Sequence, residues 1–229
     1  MASTTPPSLT PALFLTLADL EANPKLANQL AILGNTAFTR SHMMHPEKWS
    51  VPCTRFPTTQ LLLDTVGDAG IMAIILDESR VGEEEVGLVE TRSQGSDEVK
   101  KGKLVACAAV IPWAGGWEKE GAGTEVGYET KAVAVDEDEI YLGKGVAIKL
   151  LAYIEKYLIE KERATKGAFQ GEERKVLSLW LLAAECLTGD YWRRRGYMEV
   201  RRKSWSDIWG CHKSFDMVVM KREVEFDVK

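Results

Sequence analysis

Residues Glu129–Tyr157, ETKAVAVDEDEIYLGKGVAIKLLAYIEKY, carry the strongest structural signal in the chain. Glu129–Val135 places Val133 and Val135 among small apolar residues, which suits a strand covered on both faces. Asp136–Leu142 is an acidic connection. Beyond Gly143 the period changes. Val146, Leu150, Ile154 and Leu158 recur every four residues and fall on one helical face. A strand, a glycine turn and a helix can form an anion site. The first helical turn has backbone N–H groups with no partner inside the helix, and the helix dipole favours negative charge there. Gly145 has no Cβ, so a phosphate can approach its backbone closely, and Ala147 is nearly as small. The same pattern also serves an ordinary βα turn, so its meaning depends on the remaining chain.

The chain has 229 residues, 45% of them apolar, which suits one large domain with an ample core. Its net charge of −5 argues against general binding to nucleic acid or to an anionic membrane. The four cysteines, Cys53, Cys107, Cys186 and Cys211, lack C-x-x-C spacing and read as reduced thiols of a cytoplasmic protein. No apolar run is long enough to span a bilayer. The start, MASTTPPSLTP, lacks the basic and apolar parts of a signal peptide and reads as a disordered tail over residues 1–11. A single domain is expected over residues 12–229.

Ahead of the central segment, a first strand is expected over Ala12–Leu20. A helix follows from Pro24 to about Arg40, then a proline- and histidine-containing loop. A short helix over Thr58–Thr65 and a strand over Ile71–Leu76 come next. Residues 79–102 form a charged excursion, with Glu83, Glu84 and Glu85 in a row, expected to be solvated and dispensable. Leu104–Ile111 is the next strand. After the central helix, Val176–Ala183 reads as a strand, Thr188–Arg195 as a short helix, and Tyr197–Trp205 with Phe215–Val224 as a final antiparallel pair. This order implies a mixed α/β fold of α+β character. A Rossmann fold lacks its third glycine here, and a P-loop lacks its G-K-[ST].

The chain resembles the GNAT acetyltransferase superfamily. Its acetyl-coenzyme A motif is matched by KAVAVDEDEIY followed by LGKGVA. A second motif, ending Y-x-x-x-G-F/Y, is matched by VLSLWLLAAECLTGDYWRRRGYMEV, and FDMVVMKREV is similar to the family's last strand. Together these cover about residues 125–224. The resemblance implies a mostly antiparallel sheet of about seven strands, splayed centrally and flanked by about four helices. It implies acetyl-coenzyme A in the splay. The backbone of Val133, Ala134 and Val135 would take the pantetheine arm. Leu142, Gly143, Lys144, Gly145, Val146 and Ala147 would hold the pyrophosphate, with Thr188, Tyr191 and Arg194 contributed by the second motif. Two departures stand out. Leu142 occupies a position usually Arg or Gln, and Trp192 occupies the usual tyrosine register, with Tyr191 one place before it.

Acetyl transfer to an amine requires proton acceptance from the amine and benefits from proton donation to the departing thiolate. Glu129 stands where a number of GNAT enzymes place a general base, and burial beside a cleft should raise its pKa. Tyr191 is the candidate acid. In this family the acceptor commonly enters between the loop after the first helix and the loop joining the last strand pair. His42, His45, Trp49, Phe56, Trp205, Trp209 and His212 lie in or beside those loops and are candidate acceptor contacts. The alternative is that these rings pack the loops onto the body. No metal site is implied. The expected function is acetyl-CoA-dependent N-acetylation of a small-molecule amine by a monomer or homodimer. The alternatives are a protein or peptide N-acetyltransferase and a non-catalytic acetyl-CoA-binding module.

Overall fold

The computed structural model describes residues 6–52, 54–80, 88–92, 98–164 and 174–228. Eight strands form one sheet: β1 (Leu13–Leu15), β2 (Ile71–Asp77), β3 (Leu88–Arg92), β4 (Val99–Pro112), β5 (Tyr128–Val135), β6 (Arg174–Ala184), β7 (Met198–Trp205) and β8 (Phe215–Asp227). The path runs β1-β2-β4-β5-β6-β8-β7, with β3 paired to the start of β4. The described residues form five α-helices, α1 (Leu17–Glu21), α2 (Pro24–Met43), α3 (Thr59–Val66), α4 (Val146–Ala164) and α5 (Asp190–Arg193). Among the described residues, no helix is long and apolar enough to cross a membrane.

Period-2 alternation in β2 builds a core on each face of the sheet. Ile71, Ala73 and Ile75 meet α4 through Val146, Leu150, Ile154 and Leu158. Met72, Ile74 and Leu76 meet Leu20, Leu26, Leu30, Leu62 and Val66 of α1, α2 and α3. Each such Leu, Ile or Val contributes roughly 1.5–3 kcal/mol when fully buried. A third cluster, rich in tryptophan, covers the β6–β8–β7 half and includes Trp49, Trp113, Trp117, Trp180 and Phe215.

Several expectations change in detail. The expected strand over Ala12–Leu20 divides, because Thr16 and Asp19 form a capping box that starts α1 after only three strand residues. Of the expected tail, residues 1–5 lie outside the described residues. Ser8 and Thr10 instead hydrogen-bond to the end of β2, through the Asp77 carboxylate and the Leu76 carbonyl. Within the charged excursion, Leu88–Arg92 pairs antiparallel with Val99–Lys103, and Val89 is buried in the core. Residues 81–87 and 93–97 lie outside the described residues.

The sheet divides between β5 and β6. Those parallel strands pair only at Tyr128–Leu179 and Glu129–Trp180, whereas β6 and β8 stay in register from Arg174–Asp227 to Ala184–Met217. From Thr130 onward, therefore, the β6-facing edge of β5 has no strand partner. The other edge is interrupted too. Cys107 and Ala109 of β4 face Ala134 and Lys131 of β5, so β5 carries one extra residue. Ala132 sits at that bulge with φ of 50°.

Candidate functional site

The splay opens a cleft of about 570 Å³ between β5, α2, the start of α4 and the segment after β6. Its floor is Glu129–Val135, and its two walls carry different chemistry.

One wall is the turn from β5 to α4. Asp136 and Asp138 each accept a backbone N–H two residues ahead, which closes successive Asx turns. Tyr141 anchors the loop: its hydroxyl donates to Asp77 at 2.7 Å, and its ring is buried. Asp77 also accepts from Ser8 and Ser79. Burial pushes its carboxyl up, but these hydrogen bonds outweigh that and hold it below the usual range. Gly143 and Gly145 have φ of 73° and 81°, the left-handed region where a Cβ is strained. No atom lies within 4 Å of where a Cβ would stand at either glycine, so the cradle is open. The amides of Gly143, Gly145, Val146 and Ala147 have no backbone acceptor among the described residues. Arg40 of α2 reaches this end of the cleft. Its Nη2 donates to the Val135 carbonyl at 3.2 Å, while its buried Nη1 has no partner among the described residues.

The segment after β6 supplies the other wall. A single wide turn, Glu185–Gly189, leads into α5 and directs Leu187, Thr188 and Tyr191 to the cleft. The Tyr191 hydroxyl is buried and has no hydrogen-bond partner by geometry among the described residues. Burial pushes its pKa up, and the nearby Arg195 charge offsets part of that. Arg195 lies over the ring, its guanidinium carbon 3.3 Å from the centroid, and also lines the cleft. Trp192 packs edge-on against Tyr191 and Tyr197 and belongs to the core.

Glu129 stands at the apex of the splay, the last residue of β5 paired with β6, and lines the cleft. Its residue is 5% exposed. Burial holds its carboxyl above the usual carboxylate range, with Lys131, 3.4 Å away, and the charge of Arg55 pulling it back. A carboxylate so placed can accept a proton closer to neutrality than a surface glutamate would.

Of the expected cofactor contacts, Val133, Ala134, Val135, Leu142, Gly143, Gly145, Val146, Ala147, Thr188 and Tyr191 line the cleft. Lys144 and Arg194 are exposed and do not line it. Of the expected acceptor contacts, Phe56 and Trp209 line it. The other five lie elsewhere. His42 is fully buried, with its Nδ1 2.7 Å from the Phe38 carbonyl and its ring edge-on to Trp49. Trp49 packs on Phe215. His45 pairs with Glu47 at the surface. Trp205 packs edge-on to Trp117, and His212 is exposed beside the Trp49–Cys211 bridge that ties the two loops together. For His42, Trp49 and Trp205, the alternative of rings packing loops onto the body describes the geometry.

Arg40, Arg55, Tyr141 and Arg195 line the cleft without having been expected there. A sequence signal existed only for Arg195, one position beyond Arg194 in a run of three arginines.

No protein-family model matches the chain, nor does any curated protein sequence. Solved structures do. NAA60 of Arabidopsis thaliana, in complex with acetyl-CoA, aligns with a TM-score of 0.50 at 12% identity, over 95% of this chain and 99% of that one. A putative acetyltransferase of Acinetobacter baylyi aligns at 0.52 and 10% identity, over 97% and 94%. A chain of the NatC complex bound to Gag peptide and CoA aligns at 0.52 and 10% identity, over 94% and 99%. Whole-length likeness of this kind, with the splayed sheet and the glycine turn between β5 and α4, shows that the chain has the GNAT acetyltransferase fold.

Proposed function

We propose that the protein is an acetyl-CoA-dependent N-acetyltransferase acting on a small primary amine. The observation that carries this is unpaired backbone at both ends of one cleft. The free edge of β5 beyond Glu129 is followed, after the hydrogen-bonded Asp136–Leu142 connection, by the free amides of Gly143, Gly145, Val146 and Ala147. An extended amide-bearing arm can add to the strand edge, and an anionic pyrophosphate suits the helix start. The open space at both glycines and the orphaned Arg40 Nη1 fit a phosphorylated ligand at that end.

Bound acetyl-CoA supplies an activated thioester. The chain's own residues supply the rest. The bulge at Ala132 leaves backbone amides unpaired on both edges of β5, where they can hold a carbonyl oxygen. Glu129 accepts the proton of the incoming ammonium. Tyr191, with an uncommitted hydroxyl, donates a proton to the departing sulfur. The low polarity of Leu187, Met217 and Phe38 around them excludes water and strengthens both transfers.

A small acceptor is favoured over a peptide because the loop after α2 and the β7–β8 loop are joined. Trp49 bridges to Cys211, Ser50 donates to the Gly210 carbonyl, and His212 donates to the Lys48 carbonyl. Calorimetry with acetyl-CoA, followed by thiol release with a panel of amines and N-terminal peptides, tests the proposal. Binding at micromolar concentration and turnover with small amines are expected. No binding at millimolar acetyl-CoA would end it, and turnover with peptides alone would move the activity to protein N-termini.

A further inference from the structure

The acceptor side of the cleft contains a cation that the transfer chemistry does not use. Arg55 lines the cleft with Glu129, and its guanidinium has no hydrogen bond or ion pair among the described residues. Its carbon lies 5.5, 5.7 and 5.3 Å from the ring centroids of Phe38, Phe56 and Trp209. Three ring faces or edges around one guanidinium stabilise the charge while leaving its N–H donors unsatisfied.

Arg55 is held there deliberately by the fold. The Asn35 side chain accepts from the Arg55 and Phe56 amides at 2.9 and 2.8 Å, and donates to the Phe56 carbonyl at 3.0 Å. A Cβ on Gly34 would stand 2.9 Å from the Phe56 ring, so glycine permits that approach. Trp209 reaches the cage from a left-handed backbone, φ 54°, a conformation that costs a non-glycine residue about 1–2 kcal/mol.

Arg55 and Glu129 influence each other's charge across the cleft but are not within ion-pair distance of each other. A buried anion and a half-buried cation in one pocket, not in contact, complement a ligand with the opposite pair of charges. Apart from Arg40, assigned above to the cofactor's phosphates, the described residues lining the cleft include Arg55, Lys131 and Arg195 against the single carboxylate of Glu129. Such a balance disfavours a polycationic acceptor. It favours one that brings a negative charge with its amine.

We propose that the acceptor amine carries a carboxylate, as an amino acid does, and that Arg55 binds this carboxylate while Glu129 faces the amine. Phe38, Phe56, Trp209 and Met217 then surround an apolar or aromatic side chain. This deepens the proposed transfer reaction and rests on it for the role of Glu129.

The test compares matched acceptors in the wild-type protein: phenylalanine, phenylalaninamide and phenethylamine, and leucine with isoamylamine, at rates expressed per free amine. The acids are expected to exceed their uncharged counterparts in kcat/KM by roughly 10–100-fold, the scale of charge-assisted hydrogen bonds. Arg55→Met should collapse that ratio toward one, chiefly through KM, and Arg55→Lys should restore part of it. Wild-type indifference to the carboxylate would overturn the proposal even if neither variant folds. So would an equal loss on every acceptor in Arg55→Met, which would mark Arg55 as a residue tuning Glu129. Calorimetry with phenylalanine alone separates the two proposals. Arg55-dependent binding of the amino acid without transfer to any amine would sustain the carboxylate site and sink the transferase reading.

Discussion

Replacing Glu129 with Gln separates catalysis from mere burial, because the two roles predict changes of opposite kind. The substitution keeps shape and removes proton-accepting capacity. Glu129 is nearly solvent-free, and its one ion-pair contact among the described residues, Lys131 at 3.4 Å, is long for a strong charge-assisted bond. The carboxylate therefore remains available to an incoming ammonium. A positioned base contributes roughly 10²–10⁴ in rate, or about 2.7–5.4 kcal/mol of barrier at 1.36 kcal/mol per decade. Transfer should fall by that factor at neutral pH with acetyl-CoA affinity unchanged. In the wild type, the rate should fall as pH drops through the raised Glu129 pKa, above the ordinary glutamate value of about 4.3. That limb should be missing in Glu129→Gln. Stability should move the other way. A carboxyl whose folded pKa is raised contributes most when protonated, below its unfolded pKa, and loses that contribution as pH rises through its folded pKa. Glu129→Gln should therefore raise Tm at neutral pH and lose the advantage in acid. Rate profiles across pH, calorimetric affinity and thermal melts of both proteins check this. An unchanged rate at neutral pH, or a lower Tm there, would refute the reasoning: the first removes Glu129 from the chemistry, the second makes its pairing with Lys131 structural.

Tyr191→Phe should leave acetyl-CoA affinity nearly constant and lower kcat by roughly 10²-fold or more. A thiol-release assay reads this, and equal rates would assign sulfur protonation to water. Gly145→Glu should abolish acetyl-CoA binding, since it adds an anion to an open anion cradle and strains a backbone at φ 81°; calorimetry at millimolar ligand would show any survival. Arg40→Gln should weaken acetyl-CoA roughly 10–100-fold, the scale of one charged hydrogen bond, and should leave dephospho and non-phosphorylated thioester analogues less affected.

The half of the cleft proposed for the cofactor was legible because it is built from neighbours in sequence. Strand, turn and helix from Glu129 to Leu158 appear where periodicity put them, and burial at Val146, Leu150, Ile154 and Leu158 follows the four-residue spacing. The two glycines fall at positive φ, where their lack of a Cβ is needed. Glu129 could be expected to have a raised pKa because a strand residue beside a cleft loses water on folding. Arg40 was not legible. It sits on a helix whose contact with Val135 spans 95 residues, and no local pattern distinguishes it from a solvated arginine.

The acceptor half shows why composition misleads where topology decides. Histidines and tryptophans clustered in two loops look like a pocket lining, yet His42, Trp49 and Trp205 are consumed in packing those loops to the sheet. A residue that does line the cleft is Arg55, in a proline-bounded loop with no pattern to mark it. Its place depends on Asn35, 20 residues earlier, whose amide imitates a strand neighbour and fixes the Arg55–Phe56 backbone. Aromatic rings in and beside these loops thus do two jobs. His42, Trp49 and Trp205 make ring contacts that pack the loops. Phe38, Phe56 and Trp209 surround the Arg55 guanidinium. A half-buried guanidinium is costly without a counter-charge, and Glu129 opposes that cost without being within ion-pair distance. An acceptor carboxylate of the kind proposed would supply the missing counter-charge.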